Sequence, residues 1–428
     1  MAGTDTTAFA ASLKNVYIDG IREQINQNTT LLDLFTEGDV KQYEWQGKAL
    51  ILDLHTSRNA SGVKYVAENG GLPIAGSQGT ANLTVPMSFL NGRIQFSAQV
   101  MKASRSSKGA FISAQSLEQK GLVNDVSRQR NRALAGFGQE TLAVISSGAN
   151  STTQALKNPG GVAGTVNPAR FILPNQIIVI TDPTGATIRG TATVVSVSQP
   201  NMVLSAAINS TTNDLVSLAT TSLVAGGEGS FGLAPMGILG IVDSTTYVSS
   251  IMGLDRSQAA NAFFRSTIMS SVGNITPDVL QRGTDNTWEV SSKVIDQYIA
   301  HVSVRRELIK LTEADRRYAA SSSPQNFDAG SQAGAFKKDI SFNGVPVRAD
   351  KDFAYGTLIG VTKSQLLWFP ETKGEWVDED GNILFRVQNT DSFEARYRLY
   401  ENFCSDQGNA HVRFDSITAT VSSGTYSG

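Results

Sequence analysis

Residues 57–76 read SRNASGVKYVAENGGLPIAG, and an ordinary globular core has no place for them. Gly62, Gly70, Gly71 and Gly76 punctuate the stretch, Arg58, Lys64 and Glu68 charge it, and Asn59 and Asn69 add polarity. It has no helical run and only short apolar patches. Glycine-rich loops often cradle phosphates, so the stretch either grips a nucleotide or reaches for another protein. A phosphate loop needs Gly-x-x-x-x-Gly-Lys-Ser/Thr leading into a helix, and a dinucleotide loop needs Gly-x-Gly-x-x-Gly after a strand. The glycines here fit neither spacing, and an extended segment follows. In residues 81–104, ANLTVPMSFLNGRIQFSAQVMKAS, Leu83, Val85 and Met87 alternate, Asn91-Gly92 signals a turn, and Ile94, Phe96, Ala98 and Val100 alternate again.

Upstream, Phe9, Leu13, Tyr17, Ile21, Ile25 and Leu32 recur near helical spacing, so residues 8–35 read as an amphipathic arm, and residues 43–55 alternate as a strand. Downstream, residues 110–136, AFISAQSLEQKGLVNDVSRQRNRALAG, predict the chain's longest helix, roughly 40 Å at 1.5 Å per residue. Phe111, Leu117, Leu122, Val126 and Leu134 are its apolar positions, while Glu118, Asp125, Arg128, Arg130 and Arg132 carry the polar surface. Gly121 weakens it by about 1 kcal/mol relative to Ala.

Residues 158–223 differ in composition: β-branched runs broken by Pro-Asn, Asp-Pro-Thr-Gly and Gln-Pro-Asn predict a small all-β module between Gly-rich linkers. Beyond it, Thr276-Pro277-Asp278 starts a helix, and Trp288, Val294, Ile295 and Tyr298 suggest another. Residues 299–302 read as a buried strand, with Ser303 capping a helix from Val304 to Tyr318. Asn343-Gly344 and Asp380-Gly381 mark hairpin turns, and FEARYRLYENFC and AHVRFDSI read as a strand pair joined by SDQGN.

The composition excludes several function classes. A formal charge of −2 over 428 residues gives no basic field for coating DNA, although a near-neutral wall around nucleic acid fits it. Hydrophobic residues make up 40% and charged ones 17%, below the usual share of about a quarter, as in a β-rich chain that buries much surface in an oligomer. Cys404 is the single cysteine, so no intrachain disulfide forms. The start, MAGTDTTAFAASLKNVYIDG, lacks a signal pattern, and no run of about 18 apolar residues exists, so the expectation is a cytosolic origin without a membrane.

Nor does a site emerge. His55, His301 and His411 are scattered, so no zinc spacing exists, and His301 in YIAHVSV reads as a satisfied core residue. Asp378, Asp380 and Asn382 hint at calcium, but Ile383 stands where the calcium loop needs glycine, so a hairpin turn is expected. There is no Gly-x-Ser-x-Gly elbow. We expect no catalytic, cofactor-binding or metal-ligating residues, and no enzyme. Glu313 and Asp315 lie among Arg305, Arg306, Arg316 and Arg317, the pattern of a solvated or intersubunit salt-bridge face. Arg128, Arg130 and Arg132 lack interleaved aromatics, so they are expected at subunit contacts and not on nucleic acid.

In their order these elements resemble a tailed-bacteriophage major capsid protein of the Hong Kong 97 fold. The matching pieces are the arm at Phe9–Leu34, the loop RNASGVKYVAENGGLPIAG with VPMSFLNGRIQFSAQVMKAS, and SSKGAFISAQSLEQKGLVNDVSRQRNRALAG in the place of the spine helix. GLAPMGILGIVD, DISFNGVPVRADKDFAYGTLIGV and FEARYRLYENF with AHVRFDSI complete the likeness, which omits 158–223. The resemblance implies an α+β Hong Kong 97-like capsid fold: an N-terminal arm (1–56), an extended loop (57–100), a peripheral domain with the spine helix (101–157), a β-rich insertion (158–223) and an axial domain (224–367). Peripheral strands (368–408) and a terminal strand and tail (409–428) follow.

The implied function is a late structural protein of the virion, self-assembling as hexamers and pentamers into an icosahedral shell around double-stranded DNA. The partners are then the chain itself, a portal, a separate scaffold and decoration proteins, with the packaged DNA bound without sequence preference. Such a shell is assembled in the host cytoplasm. Arg58, Lys64, Glu68, Arg128, Arg130 and Arg132 are the expected subunit contacts. The type member of the family cross-links subunits from a loop lysine; Lys64 matches that lysine, but no partner Asn or assisting Glu is identifiable, so an uncross-linked shell is expected. Alternatives are an encapsulin-like compartment or a β-rich virion or tail protein outside the shell.

Overall fold

The computed structural model describes residues 31–38, 45–46, 49–98, 108–159, 167–219, 230–319, 340–378 and 383–419. The expected arm helix before Leu31 and the Asp380-Gly381 turn, with Asp380 and Asn382, lie outside these residues. Leu50, Leu52 and Leu54 alternate with polar or exposed neighbours, and that period of two makes Ala49–Ser57 a half-buried strand, β1. It pairs antiparallel with β2, Gly79–Pro86, from Ala49↔Pro86 to Ser57↔Gly79, so residues 58–78 form the tip of a long hairpin.

The turn expected at Asn91-Gly92 does not form. Strand β3, Ser88–Ser97, runs straight through it and pairs along its whole length with residues 392–401. Gly92 serves a different purpose. The helix α1, Lys108–Ala135, crosses this strand so closely that a Cβ at Gly92 would lie 3.0 Å from Leu122 Cδ1. Val123 and Val126 of α1 bury against Trp376, Ala395, Tyr397 and Leu399, which seats the helix across the sheet.

Six strands after α1 close into an antiparallel barrel: β4 (Ala143–Ser147), β5 (Asn150–Lys157), β6 (Ile177–Thr181), β7 (Ile188–Ser198), β8 (Asn201–Asn209) and β9 (Leu215–Leu218), in the order β8-β5-β4-β9-β6-β7. Ile145, Leu156, Ile178, Ile180, Val194, Met202, Leu204 and Val216 fill it, and closure removes every exposed strand edge. The β-module therefore begins at Ala143 and not at 158, because β4 and β5 are two of its staves.

The described strands after the barrel build two larger sheets, beside a two-stranded ribbon at 250–251 and 254–255. Strands β10 (Thr267–Met269), β11 (Gln297–His301), β12 (Ile340–Phe342), β13 (Val345–Asp350), β14 (Leu358–Val361) and β17 (Val412–Phe414) form one in the order β10-β17-β14-β11-β13-β12. Asn343 and Gly344 have φ of 49° and 80°, the doubly positive pair of a tight hairpin turn between β12 and β13. The other sheet joins β15 (Leu366–Trp376) and β16 (Ser392–Ser405) to β3 and to short strands at 36–37 and 385–386. Thus β16 and β17, expected as a pair, belong to different sheets: Val412 and Phe414 are needed beneath a helix of the six-stranded sheet.

That helix is α2, Pro277–Ser291, whose N-cap Thr276 accepts a hydrogen bond from Val279 N at 3.3 Å. Trp288 belongs to it, and Ile295 and Tyr298 lie in the loop and strand that follow, so no second helix forms there. The next helix, α3, Val302–Ala319, begins before Ser303, which bonds His301. Leu280 of α2 and Val304 and Leu308 of α3 share one core with Tyr298, Val347, Leu358 and Phe414, so both helices cover the same face of the sheet.

The C-terminal end of α1 meets the other face through Leu134, Ala135, Phe353 and Ile359. There a Cβ at Gly237 would stand 2.3 Å from Gly136 O and 2.4 Å from Ala133 O, backbone atoms that no rotamer change can move. Gly237→Ala is expected to destabilise the subunit by roughly 1–3 kcal/mol. Gly71→Ala, with nothing within 4 Å, should leave the urea midpoint unchanged, and equal midpoints for both variants would refute this.

Candidate functional site

Three consecutive residues near the end of α1 hold three different modules, because successive helical residues point about 100° apart. Arg130 faces the sheet of β15 and β16, where its Nε donates to Glu401 Oε1 at 2.6 Å and its Nη2 donates to Glu401 Oε2. Trp368 Nε1 donates to the same carboxylate at 2.7 Å, and the guanidinium lies 5.2 Å from the Trp368 ring centroid. Asn131 donates to Asp350 at 3.0 Å and Asp352 at 2.9 Å, beside the end of β13. Burial raises the Asp352 carboxyl and the Asn131 hydrogen bond opposes it.

Arg132 pairs with Glu140 at 3.1 Å, on the segment entering the barrel. Burial drives both away from charge, lowering the arginine and raising the carboxyl. From the barrel side, Arg170 donates to Phe353 O at 3.1 Å and lies 4.5 Å from the Phe171 ring and 4.2 Å from the Tyr355 ring.

This corrects the expectation for the arginine run. Arg130 is 2% exposed and Arg132 is spent on Glu140, so neither is presented to a neighbouring subunit. Only Arg128 stands out in solvent, 3.9 Å from Asp125. The sequence signal was present: Arg130 lies on the buried stripe of Gln119, Val123 and Val126, opposite Arg128.

The hairpin tip has the opposite character. Val63, Tyr65, Leu72 and Ile74 are each at least 77% exposed, and Arg58, Lys64 and Glu68 are exposed without an ion pair among the described residues. Yet its base is fastened: Asn59 Nδ2 donates to Gly76 O at 2.9 Å, and Gly62 N donates to Asn59 Oδ1 at 2.8 Å. Asn59 thus holds both ends of an apolar tip that stays exposed among the described residues. Monomeric proteins rarely expose such patches without a partner.

Reactive groups are locked away. Ser405 and His411 come within 3.0 Å, a nucleophile–base distance, but both are fully buried. His411 Nδ1 receives Thr362 N–H, which leaves the proton on Nε2 facing Ser405; the ring therefore donates to the hydroxyl and cannot deprotonate it. Burial pushes His411 down to about 3, helped by Arg256, and raises the Cys404 thiol. His301 is pushed down to about 4, first by burial and then by Arg170 and Arg306, and stacks edge-on against Tyr355. His55 bonds Gln78 on the hairpin. Among the described residues no cluster of three His, Cys, Asp or Glu could hold a metal, and no helix is long and apolar enough to cross a membrane.

The fold is of the α+β class and is similar to that of phage capsid structures. Over 91% of this chain and 93% of the other it is similar to the capsid subunit of cyanophage A-1(L), with 10% identity and a TM-score of 0.50. A structure from Gordonia phage Cozz is similar over 92% of this chain and 87% of that one (9% identity, TM-score 0.43). The SrpI encapsulin of Synechococcus elongatus PCC 7942 matches 36% of this chain and 54% of its own (17% identity, TM-score 0.26). No protein-family model and no curated protein matches the sequence.

Proposed function

We propose that this chain is the major subunit of a tailed-phage head, assembling as hexamers and pentamers into the shell around double-stranded DNA. The observation that carries the reading is the fastened hairpin with an unpartnered apolar tip on a capsid-type fold. In this reading the sheet of β3, β15 and β16 with α1 is the peripheral domain, the six-stranded sheet with α2 and α3 is the axial domain, and the barrel is the insertion. Residues 58–78 reach over the next subunit, where Val63, Tyr65, Leu72 and Ile74 gain the cover they lack. Obligate interfaces of this kind commonly exceed about 2,000 Å². A portal, a separate scaffold and decoration proteins are the further partners, and the virion, built in the host cytoplasm, is the location.

Shell subunits work by many modest contacts acting together, so no catalytic residue is needed. The test is to express the chain, alone and with the proteins encoded beside it, and to image the product by negative stain. Closed particles of uniform size are expected. Lone subunits under every condition would end the reading.

A further inference from the structure

The two helices on the six-stranded sheet differ in sign. α2 packs over the β10–β17 end of the sheet and α3 over β11 and β13, towards the other end. Around its outward face α2 carries Asp278, Asp285 and Glu289 against the single cation Arg282, itself 3.5 Å from Asp278. On opposite flanks of that charged stripe stand Trp288, 60% exposed, and Val290, 64%, with Val294 at 65% just beyond the helix. The described outer face of α3 carries Arg306 and Lys310 beside Val302 and Ile309, 42% and 36% exposed. Lys310 reaches Glu307 at 2.8 Å, a surface pair that holds it only weakly.

A large exposed Trp beside a stripe of charge is the kind of side chain that anchors an interface. The complementary stripe lies on the same chain, but on a different helix towards the other end of the same sheet. Two unlike patches on one molecule make a head-to-tail contact, which closes into a ring when the rotation allows.

We propose that the acidic, Trp288-bearing face of α2 in one copy seats against the basic face of α3 in the next, joining the six-stranded modules around each ring of the shell. This rests on the shell reading and names the partner surfaces within it. The acids meet Arg306 and Lys310, Trp288 enters between the aliphatic side chains of α3, and each copy uses both faces at once.

The test uses the full chain in two charge-reversed forms. Asp285→Lys with Glu289→Lys makes both faces basic; Arg306→Glu with Lys310→Glu makes both acidic. Each form alone is expected to lose rings while keeping the circular dichroism and melting midpoint of the parent, since every substituted side chain is exposed. Mixed in equal amounts, the two forms should alternate. Alternation closes only in even numbers, so hexamers should return and pentamers should not. The milder Trp288→Ala should weaken ring formation at least about tenfold, which keeps the proposal testable if a reversed form fails to fold. Either reversed form assembling like the parent, or a mixture that restores nothing, overturns the pairing. If the parent itself forms no particle, the shell reading falls as well; a parent that assembles beside variants that also assemble removes the helix pairing alone.

Discussion

Glu401→Ala unfolds the subunit more readily than any other single substitution considered, by an expected 3–5 kcal/mol. The mutation leaves the Arg130 guanidinium, 2% exposed, without its carboxylate, and leaves Trp368 Nε1 without an acceptor. Removing one partner of a buried pair has that magnitude because the surviving charge stays desolvated. Against a total stability of about 5–15 kcal/mol, such a loss shows directly in the urea midpoint of the unassembled subunit. Glu401→Gln keeps an acceptor for Trp368 but not the charge, so it should fall between Ala and the parent. The double change Arg130→Met with Glu401→Leu should recover most of the loss, because an apolar pair of similar volume often replaces a buried ion pair without penalty. A Glu401→Ala midpoint equal to the parent's would mean that α1 is held by its apolar contacts alone.

The same pair shows where sequence reading runs short. Three arginines at alternate positions look like one basic surface when read along the line. On a helix they diverge, and Arg130 falls on the stripe of Val123 and Val126. Its partner Glu401 is 271 positions away, so spacing could reveal that the residue is buried but not what pairs with it. The strand at 49–57, the long helix, the cap at Thr276 and the turn at Asn343-Gly344 were legible because each is set by local periodicity or local φ preference.

Longer-range features were not. Strand β5 reads NSTTQALK, with only Gln154 and Leu156 fully buried, so it resembles a linker until β8 is laid beside it. Asn91-Gly92 carries the strongest local turn signal, yet ten residues of ladder with β16 and the approach of α1 override it. Strands β16 and β17 follow one another closely in sequence, and only burial beneath α2 sends the second to another sheet.

Exchanging residues 60–75 for two glycines is expected to abolish closed shells while leaving a folded subunit. The hydrogen bond from Asn59 to Gly76 brings the cut ends together, and the β1–β2 ladder ends before them at Ser57↔Gly79. The removed side chains are mostly exposed, so the subunit's stability in urea should change by no more than about 0.5 kcal/mol, the usual range for surface changes. Assembly loses far more. Burying an aliphatic side chain contributes about 1.5–3 kcal/mol, so losing Val63, Leu72 and Ile74 together weakens each contact by roughly three or more orders of magnitude. A triple variant, Tyr65→Ser with Leu72→Ser and Ile74→Ser, keeps the loop's length and should fail in the same way. Lys64→Ala should not, if noncovalent burial and not a cross-link closes the shell. Electron microscopy separates these results. Intact shells from the excised chain would show that the hairpin tip is dispensable, and shells lost only with Lys64→Ala would return the lysine to the centre of the mechanism.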